Sequence, residues 1–157
     1  MKCLKLTGQK KLEVSEINEP EKNGKDVIFK VNACGICGSD IHYWDMGNPV
    51  NLVMGHEFCG TVIDPGDRTD LKIGDRITAL PLSCCNNCDA CKSGNPQYCA
   101  NTWTHAVGLS LDYPGAYSNI TKCHSKMARL LPDNITDEEA AMVEPSAVSL
   151  HAVKLAD

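Results

Sequence analysis

Cys85-Asn86-Asn87-Cys88-Asp89-Ala90-Cys91, followed by Cys99 after seven intervening residues, is the stretch on which the fold reading turns. Spacings of two, two and seven let four thiolates converge on one tetrahedral ion while the short loops stay unstrained. The stretch lies inside residues 81–114, where small, polar and cysteine residues follow one another without periodicity. Such a segment is too long for an ordinary loop in a compact domain unless something organises it, and a metal ion does so. Structural zinc suits four soft thiolates and needs no redox partner; an iron–sulfur cluster uses the same ligands and is the main competitor. With all four positions filled by protein, the ion has no open coordination site and does no direct chemistry.

Outward from this lobe the pattern is of short strands. Alternating or branched segments at 3–6, 12–17, 27–34, 58–63 and 73–80 precede it, and others at 116–121 and 127–131 follow. Turn residues at Gly8, Glu19 to Gly24 and Pro65-Gly66-Asp67 separate them, so the expected fold is an all-β barrel or sandwich. The end differs: Thr136 with Glu139 forms a capping box ahead of Ala140, Ala141 and Val143, and Pro145 suits the first turn of a second helix through Ala147, Val148, Leu150 and Val153. The fold class is therefore mainly β with C-terminal helices.

Composition bounds the partners. The 157 residues are 43% hydrophobic and 22% charged, which supplies the core of one ordinary domain. The formal charge of −5 comes with dispersed Lys and Arg, so no basic stripe invites nucleic acid. No apolar run reaches the length of a signal sequence or of a membrane span, and the expected location is cytoplasmic. In a reducing compartment, ten cysteines point to metal or redox chemistry rather than disulfides.

A second constellation lies in two glycine-flanked segments, Cys34-Gly35-Ile36-Cys37-Gly38-Ser39-Asp40-Ile41-His42 and Gly55-His56-Glu57. A thiolate, an imidazole and a carboxylate on one ion leave a fourth position open for water or substrate, the mark of a catalytic metal. Alternatively Cys34 and Cys37 pair with Cys85 and Cys88 as a zinc ribbon, which would strand Cys91 and Cys99.

Five pieces in order, GICGSDIHYW at 35–44, GHEFCG at 55–60, KIGDRI at 72–77, the four-cysteine lobe and VEPSAVSLHAV at 143–153, resemble the zinc-dependent medium-chain alcohol and polyol dehydrogenases. Glu144 and Tyr43-Trp44 resemble the sorbitol and butanediol branch. The resemblance implies a GroES-like β-barrel catalytic domain over 1–132, zinc lobe 81–114 included, with helices at 133–157 leading toward a cofactor-binding domain. It implies two zinc ions per chain: a catalytic one held by Cys37, His56 and Glu57 with Glu144 as a further ligand, and a structural one held by Cys85, Cys88, Cys91 and Cys99. Ser39, continued by His42, would relay a proton, Asp40 would orient His56, and Tyr43 and Trp44 would shape the substrate pocket.

The implied reaction oxidises a secondary alcohol or polyol to a ketone with NAD or NADP as hydride acceptor, in a homo-oligomer when full length. No G-x-G-x-x-G follows a strand, so a Rossmann domain is expected to be absent and the 157 residues inactive alone. Two departures touch the pocket: the stretch from His42 to Gly55 is shorter than in many sorbitol dehydrogenases, and Ser146 stands where leucine is common. Blander roles compete at three positions: a solvent-facing His42, a turn-capping Asp40 and a helix-start Glu144. A non-catalytic, zinc-stabilised association module is the alternative function, although such a module has no need of Cys37, Ser39, His56, Glu57 and Glu144 as a set. Cys3, Cys34, Cys59, Cys84 and Cys123 are left as packing or incidental residues.

Overall fold

A computed structural model describes residues 1–156. Strands β1 (Lys2–Gly8) and β2 (Lys11–Glu16) form an antiparallel hairpin. A second, five-stranded antiparallel sheet has the order β6-β3-β4-β5-β7, from β3 (Asp26–Cys34), β4 (Phe58–Asp64), β5 (Arg76–Ala79), β6 (Ile120–His124) and β7 (Ala128–Leu130). Val27, Ile28 and Phe29 are all buried although successive side chains point to opposite faces, so the first half of β3 is covered on both sides. Phe29 stacks on Phe58 with ring centroids 5.0 Å apart, at the centre of a core completed by Val62, Ile77, Val107 and Met127. The hairpin joins the rest through single bridges, Cys3 with Ser118 and Lys5 with Val53. The expected barrel is thus a sheet and a hairpin stitched together at points, not one continuous ladder among the described residues.

Two expected strands move. The segment at 73–80 yields only β5, because Gly74 turns the chain at φ +95° and the Asp75 carboxylate accepts from the Lys72 N–H at 2.9 Å. The segment at 116–121 yields β6 four residues later. Its first part instead donates singly to the 53–55 segment, Ala116 N–H to the Gly55 carbonyl at 2.8 Å and Tyr117 N–H to Met54 at 3.0 Å.

Helix α1 (Gly38–Met46) was not anticipated from sequence. Its N-cap is Cys37, outside the usual Ser, Thr, Asp and Asn set, and the first helical residue is glycine, so the start signal is muted. Asp40 supplies what cap there is, accepting from the Cys37 N–H at 3.0 Å. Inside the lobe, α2 (Asp89–Lys92) is a single turn between two cysteines. The C-terminal helices appear where the sequence puts them. α3 (Asp137–Ala141) has the reciprocal capping box of Thr136 and Glu139, with bonds of 2.8 and 3.2 Å, and α4 spans Val143–Ala156 with Pro145 in its first turn. α3 packs on β3 and β4 through buried Ala140, beside an Arg76–Asp137 ion pair at 2.8 Å. Among the described residues no helix is long and apolar enough to cross a membrane.

Candidate metal centres

The lobe gathers Cys85, Cys88, Cys91 and Cys99 with their sulfur atoms all within 4.8 Å of one another. Backbone amides point at these sulfurs: the Cys88 N–H donates to Cys85 Sγ at 3.3 Å, the Cys85 N–H to Cys99 Sγ at 3.3 Å and the Asn101 N–H to Cys99 Sγ at 3.4 Å. The Asn101 side-chain amide and the N–H groups of Asn87 and Cys88 pull the Cys85 thiol down to about 5. Burial and the neighbouring sulfurs push Cys91 the other way. Four thiols packed this closely, with N–H groups aimed at them, are a donor set for one soft cation. Neither Cys34 nor Cys37 belongs to this group, so the ribbon pairing is set aside.

A second group unites residues from two distant segments. Cys37 Sγ, one His56 nitrogen and one Glu57 oxygen also lie within 4.8 Å of one another. A zinc ion with bonds of about 2.0–2.3 Å separates its ligands by roughly 3.3–3.8 Å, so small side-chain movements close the set around it. Cys37 is presented at the N-cap of α1, His56 and Glu57 in the approach to β4. His56 is 5% exposed and Glu57 7%, which strips them of water and favours a cation that neutralises the Glu57 carboxylate and takes the imidazole lone pair.

The other sequence candidates divide. Asp40, 2% exposed, accepts from the Cys37 N–H through Oδ2 and turns Oδ1 toward His56 Nδ1 at 3.8 Å. Neither Oδ1 nor Nδ1 has a hydrogen-bond partner, and each faces the other across that gap. Asp40 therefore caps the helix and faces His56 at once. Ser39 Oγ is buried near the helix start without any partner. His42 is exposed on α1.

Tyr43 and Trp44 are half-buried against Leu6, Leu52 and Met54, in a second core beneath the hairpin. Glu144 stands outside the three-ligand cluster, in a cleft of about 370 Å³ with Thr78, Ala79, Arg129 and His151. Burial raises its carboxyl, His56 opposes that and Glu57 adds to it, so it is within electrostatic reach of the site. Of the leftover cysteines, Cys3, Cys59 and Cys123 are buried, and burial pushes the Cys123 thiol up to about 12.

Sequence reasoning missed Tyr117. Its O–H donates to Asp40 Oδ2 at 2.9 Å, and burial followed by the Asp40 charge raises the phenol well above its ordinary value. No local motif marks it; it lies 77 residues from Asp40 and reads as one more strand residue.

The chain is similar to known proteins over nearly its whole length. Residues 23–133 match the profile of the "Alcohol dehydrogenase GroES-like domain". A sorbitol dehydrogenase of Bacillus subtilis is 33% identical over 97% of the chain and 44% of its own length. An L-threonine 3-dehydrogenase of Enterobacter sp. is 32% identical over 96% and 46%. The crystal structure of galactitol-1-phosphate dehydrogenase from Escherichia coli superposes with a TM-score of 0.87 at 30% identity, covering 99% of this chain and 47% of that one. The chain spans less than half the length of each.

Proposed function

The chain belongs to the alcohol dehydrogenase GroES-like domain family, and from that membership we propose that it is the catalytic part of a zinc-dependent dehydrogenase oxidising a secondary alcohol or polyol to a ketone. The observation that carries this reading is the convergence of Cys37, His56 and Glu57 from separate segments into one cluster that leaves a coordination position free. Zinc bound there acts as a Lewis acid toward the substrate hydroxyl oxygen.

The chain's own residues do the rest. Cys37, His56 and Glu57 hold the ion, with Glu144 placed at the start of α4 to join them. Asp40 faces the Nδ1 side of His56, which leaves the other ring nitrogen for metal. Ser39, whose buried hydroxyl has no partner of its own, accepts the alcohol proton and passes it toward exposed His42 and solvent. The substrate's C–H bond breaks with its electron pair going as hydride to NAD⁺ or NADP⁺, and the ketone is left. Cys85, Cys88, Cys91 and Cys99 hold a second, purely structural zinc. Residues 1–132 form the catalytic unit with the lobe at 81–114, and 133–157, of which 157 lies outside the described residues, the helical segment leading toward nicotinamide-binding elements. The native protein works in the cytoplasm, as a homo-oligomer.

Oxidation of secondary alcohols and polyols by the native protein, followed at 340 nm with NAD⁺ and with NADP⁺, tests the reading. Turnover abolished by Cys37→Ser is expected; equal turnover in the two proteins overturns the role of Cys37, and no turnover in the unsubstituted native protein overturns the reading and favours a non-catalytic association module. The 157 residues alone are expected to turn nothing over, because no dinucleotide fingerprint lies among them.

A further inference from the structure

We propose that Tyr117 is a positioning residue for the three-ligand site, acting through Asp40 to fix the two segments that carry Cys37 and His56. The inference rests on the zinc reading of that site. Tyr117 approaches from the loop before β6 and contributes no ligand. Its hydroxyl lies 2.9 Å from Asp40 Oδ2 and 3.4 Å from the Gly35 carbonyl, so its one proton goes to the carboxylate.

Asp40 Oδ2 is thereby shared between the Tyr117 O–H and the Cys37 N–H, while Oδ1 is aimed at His56. A carboxylate has two oxygens and free rotation about its last bond; pinning one oxygen from two directions decides where the other points. Oδ1 stands 3.8 Å from Nδ1, beyond hydrogen-bond reach as the structure stands. The small approach that closes the ligand set around a metal brings it within reach, and the imidazole then takes the tautomer protonated at Nδ1, with Nε2 keeping the lone pair a metal needs.

The ring of Tyr117 is itself held. A Cβ at Gly55 would meet Tyr117 Cδ1 at 2.7 Å and Cys34 Sγ at 2.9 Å, so the residue before His56 is a glycine whose bare face receives the ring. Gly55 also has φ +93°, a conformation other residues rarely adopt. The Tyr117 N–H is bonded to the Met54 carbonyl at 3.0 Å, fixing the phenol against the same segment from its backbone end. Tyr117 thus touches the chain on both sides of the site, at Asp40 in α1 and at Gly55 beside His56.

The test is zinc competition with a chromophoric chelator, in which the zinc-loaded chain releases two classes of ion and Cys37→Ser identifies the class belonging to the open site. Tyr117→Phe keeps the ring and removes only the hydroxyl. We expect it to weaken that class by about 10-fold, the lower end for partners of metal ligands, and to leave the four-cysteine class unchanged. In an Asp40→Asn background the same change should weaken it no further, because the hydroxyl acts through the carboxylate. On the unsubstituted chain, the His56 ring nitrogens should report one tautomer, protonated at Nδ1.

Open-site affinity unchanged in Tyr117→Phe, an equal further loss in the Asp40→Asn background, weakening of both classes alike, or mixed His56 tautomers would each overturn the inference while the site stands. A chain with no release class that Cys37→Ser removes overturns the site reading itself, and this inference with it.

Discussion

Asp26→Asn should destabilise the chain by about 2–3 kcal/mol at neutral pH and by much less in acid. Asp26 is 2% exposed, and its carboxylate accepts from Asn23 Nδ2 at 2.8 Å and the Tyr113 hydroxyl at 2.9 Å, with Lys122 Nζ 3.1 Å away. Tyr113 closes the metal lobe, so this cluster docks the lobe on β3 and β6. Removing one member of a buried ion pair costs about 3–5 kcal/mol. Here the loss is smaller: the Lys122 side chain is 21% exposed and reaches water, its ammonium also lies 4.7 Å above the Tyr113 ring, and asparagine keeps one acceptor.

For a domain of this size, each kcal/mol moves the melting temperature by about 2–4 °C, so a drop of about 4–12 °C is expected. Burial by itself would raise the Asp26 carboxyl, but the bonds from Asn23, Lys122 and Tyr113 outweigh it and the net shift is downward. A carboxyl lower in the folded chain than its unfolded value of about 3.9 adds stability that is present above that pH and lost as pH falls through the folded value. The assay is urea unfolding of both proteins at pH 7 and pH 3 in excess zinc, read as their difference, so that metal release common to both cancels. A difference below about 0.5 kcal/mol at pH 7, or one equally large at pH 3, would refute the reasoning.

Two further perturbations probe the metal centres. Cys88→Ser removes one of four ligands from a lobe that lends Val107 and Tyr113, both near its C-terminal end, to the main core; hydrogen exchange should show residues 82–104 losing protection while β3 and β4 keep theirs, and retained protection in 82–104 would contradict a metal-ordered lobe. Gly55→Ala sets a Cβ against Tyr117 and Cys34 at φ +93°, which should cost about 2–4 kcal/mol in chemical denaturation, whereas a neutral result would contradict the close packing behind His56.

What was legible in the sequence followed from local chemistry. Cysteine spacing marks the lobe because ligand geometry constrains neighbours along the chain, and the Thr136/Glu139 box marks α3 because both its bonds are made within four residues. The thiol, imidazole and carboxylate of the open site were readable as residue types, and the fold brings Cys37, His56 and Glu57 together. Helix α1 was hidden behind a cysteine N-cap and a glycine. Strand β6 was misplaced because Ala116 and Tyr117, apolar and apt for a ladder, instead make single bonds to the 53–55 segment. Tyr117 was invisible for a different reason: its role depends on one hydroxyl meeting one carboxylate across the fold, and no spacing rule records that.

The most direct test of the account is the zinc content of the purified chain, measured by elemental analysis after exhaustive dialysis. Two ions per chain, falling to one in Cys37→Ser, are predicted. A single ion in both proteins would contradict an open metal site at Cys37, His56 and Glu57.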